Sequence, residues 1–298
     1  MRTEGDTWDI ASGVGSTALF VAAARALAGR GPDPLALDPY AEFFVRAAGP
    51  EWSDLLDGKI TEHPLLDPAL GVSSQIYQAA RTKFFDDYFD AAMGAGVRQV
   101  VILGAGLDAR AYRLAWPDAT TIYEVDRAPV LEFKRRVLSE HGGAARADRR
   151  EVPVDLREDW PEVLRAQGFD PHEPTAWLAE GLLFYLSAAA VDQLFDAIAL
   201  NSAAGSRVAI EEPATLPDLP TTAPADRPNP MSSRPDWASL LYNEQRSDAV
   251  EWFGTRGWNA TGFAFPDYLE SLGRTMEVRF NEVGWSPSLM TLTTAVRC

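Results

Sequence analysis

The chain has 298 residues, of which 46% are hydrophobic and 23% are charged, a composition that allows a sizeable folded core. Its formal net charge is −16, from 43 acidic and 27 basic residues. Because nucleic acids and anionic membrane surfaces attract basic proteins, this charge argues against both as partners. The single cysteine, Cys298, excludes an internal disulfide. Together with an N-terminus that lacks a secretory pattern, it predicts a cytoplasmic protein.

Residues 1–95 are predicted to form a mostly helical N-terminal segment. Helical periodicity, together with glycine and proline residues that end helices, predicts three helices at residues 16–28, 39–48 and 75–93. The first of them is apolar but is interrupted by Arg25, and it is too short to cross a bilayer.

From residue 96 to residue 212, short apolar runs alternate with helical stretches. The runs lie at residues 99–103, 120–125, 151–154, 176–179 and 208–210, and the helical stretches lie at 130–141, 160–167 and 188–203. Such alternation indicates βαβ units and a parallel sheet, and continuous apolar strands suit a sheet covered on both faces. We therefore predict a Rossmann-like core over residues 96–212, within a single α/β domain that spans residues 1–298.

A proline-rich insertion is predicted at residues 213–255. Seven prolines fall between residues 213 and 235, and proline blocks regular elements. The insertion is either a lid beside a site or an exposed linker, since long loops in compact domains are often functional or disordered. A helix at residues 237–253 would follow the prolines.

The end of the chain, residues 256–298, is predicted to complete the sheet. Two β-rich runs lie at residues 276–281 and 289–296, with no long helix between them. We expect them to be antiparallel neighbours.

A Gly-x-Gly turn, Gly104 and Gly106, follows the first predicted strand. Glycine lets the backbone turn sharply and lets a ligand approach closely, although such a pair can also be only a tight turn. Asp126 lies twenty positions after Gly106, at the end of the next predicted strand. An acidic residue at that spacing can accept both ribose hydroxyls of an adenosine ligand.

The charge of Asp108 bears on which adenosine ligand would bind. A dinucleotide places its pyrophosphate over this loop, where a carboxylate would repel it. S-adenosyl-L-methionine has no phosphate and carries a cationic sulfur, so it tolerates the carboxylate. The alternative is that Asp108 only caps the following helix.

Two further carboxylates follow predicted strands. Asp155 lies after the third strand, where a Rossmann-like site passes beside the adenine, but it could instead cap the next helix. Glu180 lies after the fourth strand, in the crevice where α/β proteins bind ligands, and it could face an ammonium or a sulfonium group. Tyr185 could border the methyl acceptor.

Taken in order, these motifs resemble the leucine carboxyl methyltransferase family, most of all its bacterial polyketide-type O-methyltransferases. The segments that carry the resemblance are residues 103–110, 124–126, 155–157 and 180–182, with further likeness at 8–15, 38–41 and 81–83. The likeness covers most of the chain, and the ordered set is far more specific than any single motif.

The resemblance implies a class I methyltransferase fold, a mostly parallel seven-stranded sheet with an antiparallel C-terminal hairpin. It implies S-adenosyl-L-methionine as cofactor and a small-molecule acceptor, methylated on a carboxylate or hydroxyl oxygen. Arg81 would pair with the methionyl carboxylate, and Gly104, with Gly106 beside it, would line the methionine. Asp126 would hold the ribose, Asp155 and Leu156 would hold the adenine, and Glu180 would close the site.

Two other functions fit part of the sequence: an NAD-dependent oxidoreductase, and a non-catalytic protein that binds S-adenosyl-L-methionine. The sequence predicts no catalytic base. It predicts no metal site either, because His63, His141 and His172 are scattered without metal-ligand spacing.

Overall fold

A computed structural model describes residues 13–68, 70–214, 240–276 and 286–298. The strands in these residues are β1 (Gln99–Leu103), β2 (Thr121–Asp126), β3 (Asp148–Pro153), β4 (Thr175–Ala179), β5 (Arg207–Pro213), β6 (Trp258–Ala264) and β7 (Met290–Arg297). They form one sheet in the order β3-β2-β1-β4-β5-β7-β6. The first five strands pair in parallel, and β7 runs antiparallel between β5 and β6. This is the α/β fold that the sequence predicted.

Ten helices flank the sheet in the part of the chain that the structure describes. Four precede it: α1 (Gly13–Ala28), α2 (Ala41–Ala47), α3 (Pro50–Leu56) and α4 (Leu70–Gly94). The others are α5 (Arg110–Arg113), α6 (Ala128–Glu140), α7 (Trp160–Ala166), α8 (Ala188–Leu200), α9 (Ala249–Gly254) and α10 (Phe265–Ser271). None of these helices is both long enough and apolar enough to cross a membrane.

Both faces of the sheet are covered, as the continuous apolar strands predicted. Val100 and Ile102 of β1 lie in a buried cluster with residues of α1 and α4. Val101 and Leu103 lie in a second cluster with residues of α7 and α8. Successive residues of a strand point to opposite faces, so a strand covered on both sides has to be apolar throughout.

The strand register brings the carboxyl ends of the parallel strands together. Leu103 at the end of β1 pairs with Val125 of β2 and with Ala179 at the end of β4. Asp126 at the end of β2 pairs with Pro153 at the end of β3. The loops that follow these four strands therefore meet at one edge of the sheet.

The C-terminal strands are antiparallel, as predicted, but β7 pairs with β5 and with β6, a strand at Trp258–Ala264 that the sequence did not predict. Apart from Met276, the strand predicted at residues 276–281 lies outside the described residues.

The helix predicted at residues 237–253 is wrong in its extent. Among the described residues of this region, the helix begins only at Ala249, because the side chain of Asp248 accepts a hydrogen bond from the Glu251 N–H and caps α9 there. Residues 215–239, which hold most of the proline-rich insertion, lie outside the described residues.

Candidate cofactor site

The predicted site residues gather at the carboxyl edge of the sheet. The loop after β1 supplies Gly104, Gly106 and Asp108, β2 ends at Asp126, and Asp155, Leu156 and Glu180 follow β3 and β4. Arg81 reaches the same edge from α4, where it pairs with Glu180. An open α/β sheet binds its ligands at this edge.

The turn after β1 needs glycine for two physical reasons. Gly104 and Gly106 have φ angles of +63° and +44°, a left-handed conformation that other residues adopt at a cost. A Cβ atom at Gly104 would also lie 3.2 Å from Cδ1 of Leu182, in the loop after β4. The loops after β1 and β4 therefore approach each other closely.

The carboxylate of Asp126 organises this turn. Its Oδ2 accepts the Gly106 N–H at 2.7 Å, and its Oδ1 accepts the Arg127 N–H at 2.7 Å. Burial raises the pKa of Asp126 above its ordinary value, although these two hydrogen bonds oppose the shift. A carboxylate can accept about four hydrogen bonds. Two acceptor positions are therefore left, which fits a ribose with two hydroxyls.

Arg81 is buried, with 5% of its side chain exposed, so it does not lie on a solvated face of α4. Its Nε lies 3.0 Å from Oε1 of Glu180, and its Nη1 lies 2.8 Å from Oε2 of Glu211 on β5. Burial alone would lower the pKa of Arg81, but the charges of Glu211 and Glu180 raise it above its ordinary value. The guanidinium therefore stays charged at the edge of the sheet.

Arg110 connects α4 with the loops that follow β1 and β4. Its guanidinium donates to Asp86 of α4 at 2.7 Å and to Glu180 at 2.6 Å, and it also pairs with Asp108. Three carboxylates from separate parts of the chain thus share one buried cation.

The side chain of Asp108 faces this cation and also binds the backbone at the start of the next helix. Its Oδ1 accepts the N–H of Arg110, the first residue of α5, at 2.7 Å. Burial would raise the pKa of Asp108, but the charges of Arg110 and Lys134 lower it to about 2. Because Arg110 compensates the charge of Asp108, this carboxylate is no reason to expect repulsion of a pyrophosphate. The capping alternative is wrong as well, since the N-cap of α5 is Ala109 and no side chain caps that helix.

Asp155 lies in the loop after β3 and binds Arg157, whose Nη2 donates to its Oδ2 at 2.6 Å. The hydrogen bond from Arg157 lowers the pKa of Asp155 despite partial burial. The residue that caps α7 is Asp159, so the capping alternative for Asp155 is wrong. Leu156, the next residue, is half-buried against the second core cluster.

Two residues of the site were not predicted. Tyr77 of α4 donates its hydroxyl to Oε1 of Glu211, and the Gly181 N–H donates to Oε2 of Glu211 at 2.5 Å. The available signal was the pair of acids at residues 211 and 212, which directly follows an apolar run.

Tyr185, predicted to border the acceptor, lies in a short 3-10 turn after β4. Its hydroxyl donates to Oγ1 of Thr17 on α1 at 3.0 Å, so the N-terminal helix reaches the same edge of the sheet. No group of three or more potential metal-ligating side chains is found within the described ranges.

Known proteins resemble this chain over most of its length. The model of the leucine carboxyl methyltransferase family matches residues 18–199. A relative from Mycolicibacterium paratuberculosis, provisionally named an S-adenosyl-L-methionine-dependent methyltransferase, is 52% identical over 300 residues and covers 100% of both chains. A relative of the same name from Mycobacterium tuberculosis is 50% identical over 301 residues, again covering 100% of both. Among solved structures, a provisionally named methyltransferase from Thermobifida fusca has 18% identity and a TM-score of 0.49, covering 92% of this chain and 94% of that chain.

Proposed function

Because this chain belongs to the leucine carboxyl methyltransferase family and is an S-adenosyl-L-methionine-dependent methyltransferase, we propose that it methylates an oxygen of a small molecule in the cytoplasm. The observation that carries this proposal is the hydrogen bond between Gly106 and Asp126. It joins the glycine turn to the carboxylate that would hold the ribose of the donor. The acceptor, the choice of oxygen and the compartment belong to the proposal.

The donor would lie across the carboxyl edge of the sheet. Asp126 holds the ribose with its two remaining acceptor positions, and Asp155 and Leu156 hold the adenine. Gly104 and Gly106 keep the turn free of side chains. At the other end, Arg81 and Glu180 hold the charged methionine group. Bound S-adenosyl-L-methionine supplies a methyl group that its cationic sulfur makes electrophilic.

The protein contributes mainly by positioning. Direct in-line transfer needs the acceptor oxygen aligned with the methyl group, and fixing two reactants in such a geometry supplies much of a rate enhancement. In the described part of the site, the carboxylates of Asp108, Asp155 and Glu180 are all engaged in ion pairs. A paired side chain is a poor general base, which favours an acceptor oxygen already ionised at neutral pH. A carboxylate is such an acceptor, and a hydroxyl would need a base.

We also propose that the insertion at residues 213–255 borders the acceptor. Its described part contacts the loop after β4: the Tyr242 N–H donates to the Phe184 carbonyl at 2.9 Å. In the same region, Glu244 accepts the N–H of Ala188 at 2.8 Å. These contacts support a place beside the site, whereas movement of the insertion as a lid stays a prediction.

The test uses a donor labelled in its methyl group, a panel of small carboxylic acids and phenols, and the purified protein. We expect label on at least one acceptor, and alkaline hydrolysis then separates a labile ester from a stable ether. Calorimetry should show binding of S-adenosyl-L-methionine or of its demethylated product. Binding of NAD in their place would favour an oxidoreductase. Donor binding without transfer to any acceptor, including those of a cell extract, would favour a non-catalytic protein.

A further inference from the structure

We propose that Glu211 is a positioning residue for donor binding, one that orients both Arg81 and Glu180 toward the methionine end of the donor. This inference rests on the proposed function, because it concerns the same site. It goes further by giving a role to a buried strand residue that itself need not contact the donor.

Glu211 lies on β5, with 0% of its side chain exposed. Donors from two other parts of the chain converge on its two oxygens. Tyr77 donates to Oε1, the Arg81 Nη1 lies 3.0 Å from Oε1 and 2.8 Å from Oε2, and the Gly181 N–H donates to Oε2 at 2.5 Å. The carboxylate therefore joins α4 to the loop after β4 at the point where both reach the site.

Two of the three guanidinium nitrogens of Arg81 lie within ion-pair distance of a carboxylate, and one of them, Nη1, also donates hydrogen bonds. Glu180 lies against Nε and Glu211 lies against Nη1. Within the described residues, no hydrogen bond or ion pair of Nη2 is found, which leaves that nitrogen for a ligand. Because a guanidinium is planar, two fixed nitrogens determine the direction in which the third one points.

Glu211 also fixes the turn that presents Glu180. Gly181, which follows Glu180, has a φ angle of +65°, and its N–H donates a hydrogen bond to Glu211. A Cβ atom at Gly181 would lie 3.6 Å from Nη1 of Arg81 and 3.8 Å from Oε2 of Glu211. The turn therefore lies directly against the ion pair, and a change in Glu211 would move Glu180 as well as Arg81.

Tyr77 contacts both members of the ion pair between Arg81 and Glu211. Burial, followed by the charge of Glu211, raises the pKa of Tyr77 well above its ordinary value, so its hydroxyl stays protonated and donates. The guanidinium of Arg81 lies 5.5 Å from the centre of the Tyr77 ring. The phenol thus supports the carboxylate and the cation together.

Glu212 provides a matched control. It is the next residue of β5 and points to the opposite face, where it accepts a hydroxyl from Thr293 at 2.6 Å and the Ala249 N–H at 2.9 Å. Both glutamates therefore accept hydrogen bonds from one hydroxyl and one backbone N–H. Only Glu211 also forms an ion pair with a guanidinium of the site.

The experiment measures calorimetric binding of two probes to wild type, Glu211→Gln, Tyr77→Phe, Arg81→Met and Glu212→Gln. S-adenosyl-L-methionine reports on the whole donor site, and 5′-methylthioadenosine, which lacks the amino-acid end, reports on the adenosine part alone. We expect Glu211→Gln to weaken the first probe at least tenfold and to change the second less than twofold. Tyr77→Phe should weaken the first probe about threefold, and Glu212→Gln should leave both within twofold.

The outcomes are separable. If wild type binds neither S-adenosyl-L-methionine nor its demethylated product, the proposed function fails. If wild type binds and Arg81→Met weakens binding, but Glu211→Gln does not, only the role of Glu211 fails. Equal weakening of both probes by Glu211→Gln would mean a general structural role and would also overturn the inference, as would an Arg81→Met variant with normal affinity. Should Glu211→Gln not fold, Tyr77→Phe decides by the same comparison of probes.

Discussion

Gly106 donates its backbone N–H to Oδ2 of Asp126 across 2.7 Å, so the turn after β1 is fastened directly to the end of β2. The same carboxylate accepts the N–H of Arg127. Asp126 therefore shapes the loop that a donor would lie on, in addition to its proposed bonds to the ribose.

Asp126→Asn should lower the affinity for S-adenosyl-L-methionine at least about tenfold, because hydrogen bonds to a charged acceptor contribute about 1.5–3 kcal/mol each. Calorimetry on the folded variant measures the change. Asp148→Asn is the control, since Asp148 is exposed and begins β3, at the opposite end of the strand from the carboxyl edge, where it pairs with Arg150. Unchanged affinity in Asp126→Asn would remove this residue from the site.

Gly104→Ala should weaken both folding and donor binding. An alanine would adopt the left-handed conformation at a cost of about 1–2 kcal/mol, and its methyl group would press on Leu182. Gly58→Ala is the matched control, because Gly58 has a φ angle of +69° with nothing within 4 Å of the added Cβ. Urea denaturation should show a loss in both variants, and calorimetry should show weaker donor binding in Gly104→Ala alone. Equal donor affinities in the two variants would remove Gly104 from the donor site, and equal losses of stability would contradict the close approach to Leu182.

Arg110→Met should be among the most destabilising single changes at this edge. Removing the cation leaves Asp108 and Glu180 buried without it, and breaking a buried ion pair costs about 3–5 kcal/mol. The control is Arg136→Met, which breaks an exposed pair with Glu140 on α6 and should change stability little. Urea denaturation compares the two. A small loss in Arg110→Met would mean that solvent or a neighbouring cation replaces the guanidinium.

The pH dependence of stability should differ between wild type and Glu212→Gln. Burial raises the pKa of Glu212 from 4.5 to about 7, against the hydrogen bonds from Thr293 and Ala249. The folded protein therefore binds this proton more tightly than the unfolded chain does. The resulting stability is complete below about pH 4.5 and is lost as the pH rises through 7, a change on the order of 3 kcal/mol.

Urea denaturation of both proteins between pH 4.5 and pH 8 checks this difference. The stability of wild type relative to Glu212→Gln should fall up to about pH 7 and level off above that pH. A relative stability that stays constant across the interval would mean that Glu212 titrates like an exposed glutamate.

The sequence predicted the parallel half of the fold because that half obeys local rules. A buried strand such as β1 is an apolar run that ends in glycine, and such a pattern can be recognised without a structure. The edge strand β6 was missed, because most of its residues are exposed and it contains Gly262. Its apolar and polar residues alternate only from Trp258 to Thr261, and Gly262 then ends the pattern.

The site was predicted where its residues follow strands, and it was missed where partners lie far apart in the chain. Asp126 and Glu180 follow apolar runs, so their place at the carboxyl edge could be inferred. Glu211 also lies on a strand, but its meaning comes from Tyr77 and Arg81, which precede it by 134 and 130 residues. Asp108 shows a different error: its charge was used to choose between adenosine ligands, although Arg110, two residues further along the chain, compensates that charge.

The place of β7 between β5 and β6 has a consequence for how the protein is made. On the ribosome, β6 emerges before β7, yet β7 is its only hydrogen-bonded neighbour among the described strands. Until β7 arrives, β5 carries an open edge of unpaired backbone groups, the kind of surface that templates aggregation. A ribosome that stalls between Ala264 and Met290 would therefore leave a nascent chain that carries the donor-site residues named above but lacks the strand that closes its sheet.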